Sequence, residues 1–156
     1  MWCIVALTEE YRSRMDSLLT LYAKPFRFDE PVICIDEKSQ QLIGHSRAPL
    51  PMKSSTPAQQ DCEHVRKGTT NLFVAVEPKA GQRVVSVTER RGRTDFAAFV
   101  QALLTDTCST ARRIHIVLGN LSTHFRKSFD DVLGRRAAGK LLRRVSFHYI
   151  PNMRVG

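Results

Sequence analysis

Two short apolar runs, each stopped by a polar cluster, constrain this chain more than any other feature. Val32-Ile33-Cys34-Ile35 runs into Asp36-Glu37-Lys38-Ser39. Ile114-His115-Ile116-Val117-Leu118 runs into Gly119-Asn120-Leu121-Ser122-Thr123-His124. Each run reads as a buried strand. Such strands deliver polar residues to the carboxyl end of an α/β sheet, where these folds build their sites. The first run delivers a carboxylate, Asp36. The second delivers Gly119, with Asn120 behind it.

The flanking segments supply the rest of a layered domain. Thr8 can cap a helix with Glu9 and Glu10 in its first turn. Tyr11, Met15, Leu18, Leu19 and Tyr22 share one face of that helix, and Pro25 ends it. A strand is expected over Val32–Asp36. From about Gln40 to Lys67 the chain holds Gly44, Pro49, Pro51 and Pro57 without sustained periodicity. An irregular, functional loop is expected there, with at most a short strand near Gln41-Leu42-Ile43. Thr70–Val76 and Arg83–Thr88 flank a turn at residues 77–81 and read as an antiparallel hairpin. Thr94 is expected to cap a helix whose stripe is Phe96, Phe99, Val100, Leu103 and Leu104. A strand over Arg113–Leu118 precedes a helix from about Lys127 to Arg144, with Asp130 and Asp131 as first-turn charges. Val145–Ile150 is the last strand, stopped by Pro151. The fold class is α/β: a mixed five-stranded sheet flanked by helices, its early strands antiparallel and its last two joined in parallel through helices.

Composition bounds the setting. A chain of 156 residues, 42% hydrophobic and 25% charged, is expected to form one soluble domain. No apolar run approaches the roughly 18 residues of a membrane span. The stretch Met1–Leu7 lacks a basic leader and soon meets Glu9 and Glu10, so a cytoplasmic protein with no membrane partner is expected. Cys3, Cys34, Cys62 and Cys108 are widely separated, which argues against a disulfide framework. Asp61-Cys62-Glu63-His64 has no second Cys/His pair to complete a zinc site and reads as a loop. The net charge of +9 is uneven. Residues 1–62 hold 7 Lys/Arg against 8 Asp/Glu; residues 63–156 hold 17 against 7. A second half at net +10 points to a polyanionic partner, nucleic acid first.

Four segments carry a family resemblance. Val32 to Ser39 looks like the first catalytic segment of a bacterial insertion-sequence transposase. Gly68-Thr69-Thr70-Asn71-Leu72-Phe73-Val74-Ala75 looks like that family's second strand. Ile116 to His124 is similar to its second catalytic segment, and Phe147-His148-Tyr149-Ile150-Pro151 resembles the strand leading to its third acid. Together, in this order, they resemble the ribonuclease H-like catalytic domain of DDE-type transposases related to the mariner superfamily. The resemblance divides the chain into a linker helix segment, 1–30, and a DDE domain, 31–156.

The resemblance implies DNA cleavage and strand transfer by three carboxylates holding Mg²⁺ or Mn²⁺. Two such metals stabilise the attacking and leaving oxygens of an in-line displacement. Asp36 matches the first acid and is the implied metal ligand. Gly119 stands at the position of the second, followed by the motif neighbours Asn120, Thr123 and His124. After Pro151 the chain departs from the family pattern, so the closing helix and third acid are expected to be missing. The family's end-recognising helix-turn-helix is likewise not expected here. Lys38, Arg126, Lys127, Arg135, Arg136 and Lys140 are the candidate nucleic-acid contacts. Two functions follow. One is a transposase endonuclease domain with impaired catalysis; the other is a non-catalytic remnant that binds nucleic acid or pairs with an intact transposase or a second copy.

Overall fold

The computed structural model describes residues 8–120 and 126–151. Its first element, α1 (Glu9–Ala23), begins where the Thr8 hydroxyl accepts the Tyr11 N–H at 3.2 Å. The five strands are β1 (Val32–His45), β2 (His64–Glu77), β3 (Gln82–Thr88), β4 (Ile114–Leu118) and β5 (Val145–Tyr149). They form one sheet in the order β3-β2-β1-β4-β5. β2 is antiparallel to β1 and β3, while β1–β4 and β4–β5 are parallel. The mixed sheet expected from the element order is the one observed.

The helices α2 (Arg93–Ala102), α3 (Arg126–Leu133) and α4 (Arg135–Leu141) supply the core of one face. Ile33, Ile35, Phe73, Ile114, Ile116 and Leu118 from the sheet meet Phe96, Phe99, Val100, Leu104 and Phe129 from the helices. Phe73 lies 5.6 Å from Phe99 and Phe96 lies 5.6 Å from Phe129, ring centre to ring centre. Each such side chain contributes roughly 1.5–3 kcal/mol by leaving water. Among the described residues the other face is covered by α1 alone, whose Leu18 and Leu21 sit on Val32 and Val117.

Four details differ from the sequence reading, each for a physical reason. First, residues 40–45 and 64–69 are not an irregular loop. They extend β1 and β2 as a paired arm in which nearly every residue is exposed. Backbone pairing needs no buried face, so no periodicity betrays it. The register slips between Gln41 and Ile43, where Leu42 faces both Lys67 and Gly68; Gly68 has φ +110°. This is a β-bulge, and glycine supplies its left-handed residue. Only residues 46–63 turn irregularly, and even there Leu50 bridges Gln59 and Lys53 bridges Thr56.

Second, the helix expected over 127–144 breaks at Gly134, whose φ is +78°, into α3 and α4. A 3₁₀ turn over Leu142–Arg144 then leads into β5. Third, Thr94 is not a cap. Gly92 starts α2, and the Asp95 carboxylate accepts the Gly92 N–H at 2.8 Å, half of a capping box. Fourth, Asp130 and Asp131 lie beyond the first turn of α3, and Asp131 accepts from Arg93 at 3.0 Å, joining α3 to α2.

The C-terminal end of α2 widens into a π-turn over Leu103–Thr107. The Arg144 guanidinium caps it, donating to the carbonyls of Leu104, Ser109 and Ala111. One of the cations crowding this part of the sequence is therefore a structural clasp.

Candidate active site and nucleic-acid surface

β1 and β4 are parallel neighbours, with Ile35 opposite Leu118. The next residues along them are Asp36 and Gly119, so these stand side by side at the carboxyl end of the sheet. Strand alternation fixes which way they face. Val32, Cys34 and Val117 pack beneath α1. Asp36 and position 119 share that face. A side chain at 119 would project beside the Asp36 carboxylate.

Asp36 is exposed, and its Oδ1 accepts the N–H of Glu37 at 2.9 Å. Glu37 turns to the opposite face, where its side chain is 4% exposed and lies 3.7 Å from Arg91. Gly119 has no left-handed φ, and a Cβ built on it meets no described atom within 4 Å. The backbone therefore does not require glycine, and an aspartate fits there without strain. Asn120 follows; its amide donates to the carbonyl of Ile150, just past β5. Ile150 in turn donates to the Leu118 carbonyl at 2.9 Å. Asn120 thus pins the carboxyl ends of β4 and β5 together.

The other sequence candidates divide between places. Lys38 is exposed two residues beyond Asp36 on the same face. Arg126 and Lys127 are exposed at the start of α3, six and seven residues after Asn120. Arg135, Arg136 and Lys140 are exposed on α4, which leads to the amino end of β5, away from Asp36. Thr123 and His124 lie outside the described residues.

Three residues at the site end have roles that the motifs do not assign. Arg91 and Arg93 follow the carboxyl end of β3 and hold Glu37 and Asp131. Asn71 is buried on β2, accepting the Ser39 hydroxyl at 2.7 Å and donating to the Glu89 carbonyl at 3.1 Å. It joins β1, β2 and the end of β3 beneath the site. Its signal was a polar residue in the inward series that continues with Phe73 and Ala75.

A pair of divalent cations needs several converging carboxylate oxygens. Among the described residues, no three His, Cys, Asp or Glu side chains gather closely enough to hold one ion. Among the described residues, Asp36 and Gly119 bring one carboxylate to this end of the sheet, which does not fit a two-metal site.

The pattern of family residues extends well beyond this pair. The family described as DDE superfamily endonuclease matches residues 31–153. The chain belongs to the DDE superfamily endonucleases. Its fold matches that of part of the Mos1 transposase. The Mos1 paired-end complex with the left transposon end superposes with a TM-score of 0.54 at 15% identity, covering 100% of this chain and 46% of that one. The Mos1 mariner paired-end complex with Mn gives 0.53 at 15%, covering 100% and 46%. The Mos1 strand transfer complex gives 0.53 at 16%, covering 100% and 45%. This DDE domain thus spans a little under half the length of those chains. No curated protein sequence matches it significantly. No helix among its described residues is long and apolar enough to cross a membrane.

Proposed function

We propose that this DDE domain serves a DNA transposase, associates with DNA through its basic half, and does not cut DNA unaided. The reading rests on Gly119, which follows Leu118 as Asp36 follows its neighbour Ile35 and brings no carboxylate. One carboxylate leaves a divalent cation mostly to water, so Mg²⁺ or Mn²⁺ is held weakly and without the geometry of in-line displacement. The DNA half of the reading rests on charge and on kinship. Residues 63–156 carry the whole excess of cations, and Mos1 is solved with its transposon end. In this reading residues 1–30 link to the DDE domain of 31–156, which pairs with a second copy or with an intact transposase, and only the intact transposase supplies cleavage.

A nicking assay on supercoiled DNA with Mg²⁺ or Mn²⁺ tests the catalytic half. No metal-dependent cleavage is expected, from the natural chain or from Asp36→Ala. Cleavage that Asp36→Ala abolishes would overturn the reading. Gly119→Asp supplies the missing carboxylate, and its Mn²⁺ affinity, read by calorimetry, should rise about tenfold or more, the worth of roughly 1.4 kcal/mol. Unchanged affinity would show that position 119 does not face the Asp36 carboxylate. DNA association should be independent of sequence and fall steeply with salt, as phosphate contacts do. Failure to bind at low salt would sink the DNA half alone.

A further inference from the structure

On the α1 face, near the amino end of β4, three titratable side chains from three segments meet. His115 of β4 is 6% exposed. Its Nδ1 lies 2.9 Å from Nε2 of His148 on β5, and its Nε2 lies 3.4 Å from Oε1 of Glu30 in the linker before β1. Other charged groups surround them. Arg27 and Arg112 approach Glu30 Oε2 at 3.9 and 3.8 Å, and Asp29 pairs with both arginines. Lys24, past the end of α1, acts on His148, and Glu77 and Lys79 line the small cavity beside His115.

We propose that Glu30, His115 and His148 form a one-proton latch that ties the linker to the edge strand β5 and opens on acidification. Two imidazole nitrogens 2.9 Å apart share one proton. A second proton sets N–H against N–H, and the contact cannot survive. The carboxylate of Glu30 orients the pair, because it draws a proton onto Nε2 of His115. That leaves the Nδ1–Nε2 contact as the bond that protonation breaks.

The sign follows from the environment. Burial, then the neighbouring His115, then Lys24 hold the His148 imidazole below its usual range. The unfolded chain therefore binds more protons than the folded one between the two values. Stability is present at neutral pH and is lost as pH falls from the ordinary imidazole value, about 6.5, toward the folded one. Glu30 is held below the ordinary carboxylate range, chiefly by its hydrogen bond to His115, and so stays charged across this window. The release has a direction. Among the described residues β5 is an edge strand paired with β4 alone. Ile150, two residues past His148, carries the bonds to Leu118 and Asn120 that close the sheet beside position 119. Acid should loosen that end first.

Imidazole ¹⁵N titration, amide exchange and thermal unfolding from pH 8 to 5 test the latch on the whole chain and on His148→Gln, which keeps a donor and an acceptor but does not titrate. His148 should titrate below the ordinary imidazole value of about 6.5. Protection of the Ile150 amide should fall by up to about tenfold per pH unit, the effect of one proton. The melting temperature should fall more steeply with acid in the natural chain than in His148→Gln. His148 titrating at or above the ordinary imidazole value, or equal slopes in both proteins, overturns the latch. Should the variant not fold, the natural chain still decides: a shared proton gives scalar coupling between the two ring nitrogens at neutral pH, and its absence overturns the proposal. None of these readouts depends on DNA or metal, so the latch and the proposed function stand or fall separately.

Discussion

One face of the sheet presses Phe73, Ile114, Ile116 and Leu118 against Phe96, Phe99 and Phe129 of the helices, all of them buried. Among the described residues the other face lays Val32, Val117 and the half-buried Cys34 beneath Leu18 and Leu21 of α1. On that second face stand Asp36, Gly119, His115 and His148, and near the β3 edge Val85 and Val87 are 51% and 65% exposed. The difference follows from what each face must do. A face closed by three helices supplies cohesion and leaves no room for polar groups that lack partners. A face closed by one helix keeps open the space that chemistry and partners need, and holds less of the stability.

Substitutions can break this contrast. The largest effect is expected from Phe96→Ala, a fully buried ring between two others, at about 3–5 kcal/mol by urea unfolding. Leu21→Ala should lose less, about 2 kcal/mol, because its cluster is small and its cavity can collapse. Equal losses from the two would mean that α1 anchors the fold as firmly as the other helices. Thr8→Ala removes the hydroxyl that accepts the Tyr11 N–H and should cost about 1 kcal/mol, with fraying at the start of α1 visible in amide exchange. Asp36→Ala should change stability by no more than about 0.5 kcal/mol, since the side chain is exposed and, among the described residues, bonds its neighbour's N–H alone. A larger loss would assign Asp36 a structural duty and weaken its reading as a vestige of a metal site.

Much of this was legible in the residues. Val32–Ile35 and Ile114–Leu118 announced central strands because burial on both faces leaves a continuous apolar run. The same runs placed Asp36 and Gly119 at their ends, and the parallel register of β1 and β4 does bring the two together. Boundaries set by local geometry were less legible. Gly134 splits a pattern that reads as one helix, because φ +78° is set by how the chain turns between α3 and α4 and not by periodicity. Thr94 resembles a cap, yet the Asp95 carboxylate reaches back to Gly92 and starts α2 sooner. Arg144 counts as surface charge in a sequence tally, yet it reaches carbonyls contributed by residues 104, 109 and 111. Pairings such as His115 with His148 join residues 33 positions apart, and only the parallel β4–β5 register reveals them.

The bulged arm of β1 and β2 holds its shape through backbone pairing and shares no side chains with the core. It is mechanically separable from the domain that carries it. A protease could nick residues 46–63, or an engineer could splice a foreign segment between Pro51 and Pro57, and the five-stranded sheet would keep its fold. The same independence lets this stretch of chain change its amino acids, generation after generation, under rules different from those that hold the rest in place.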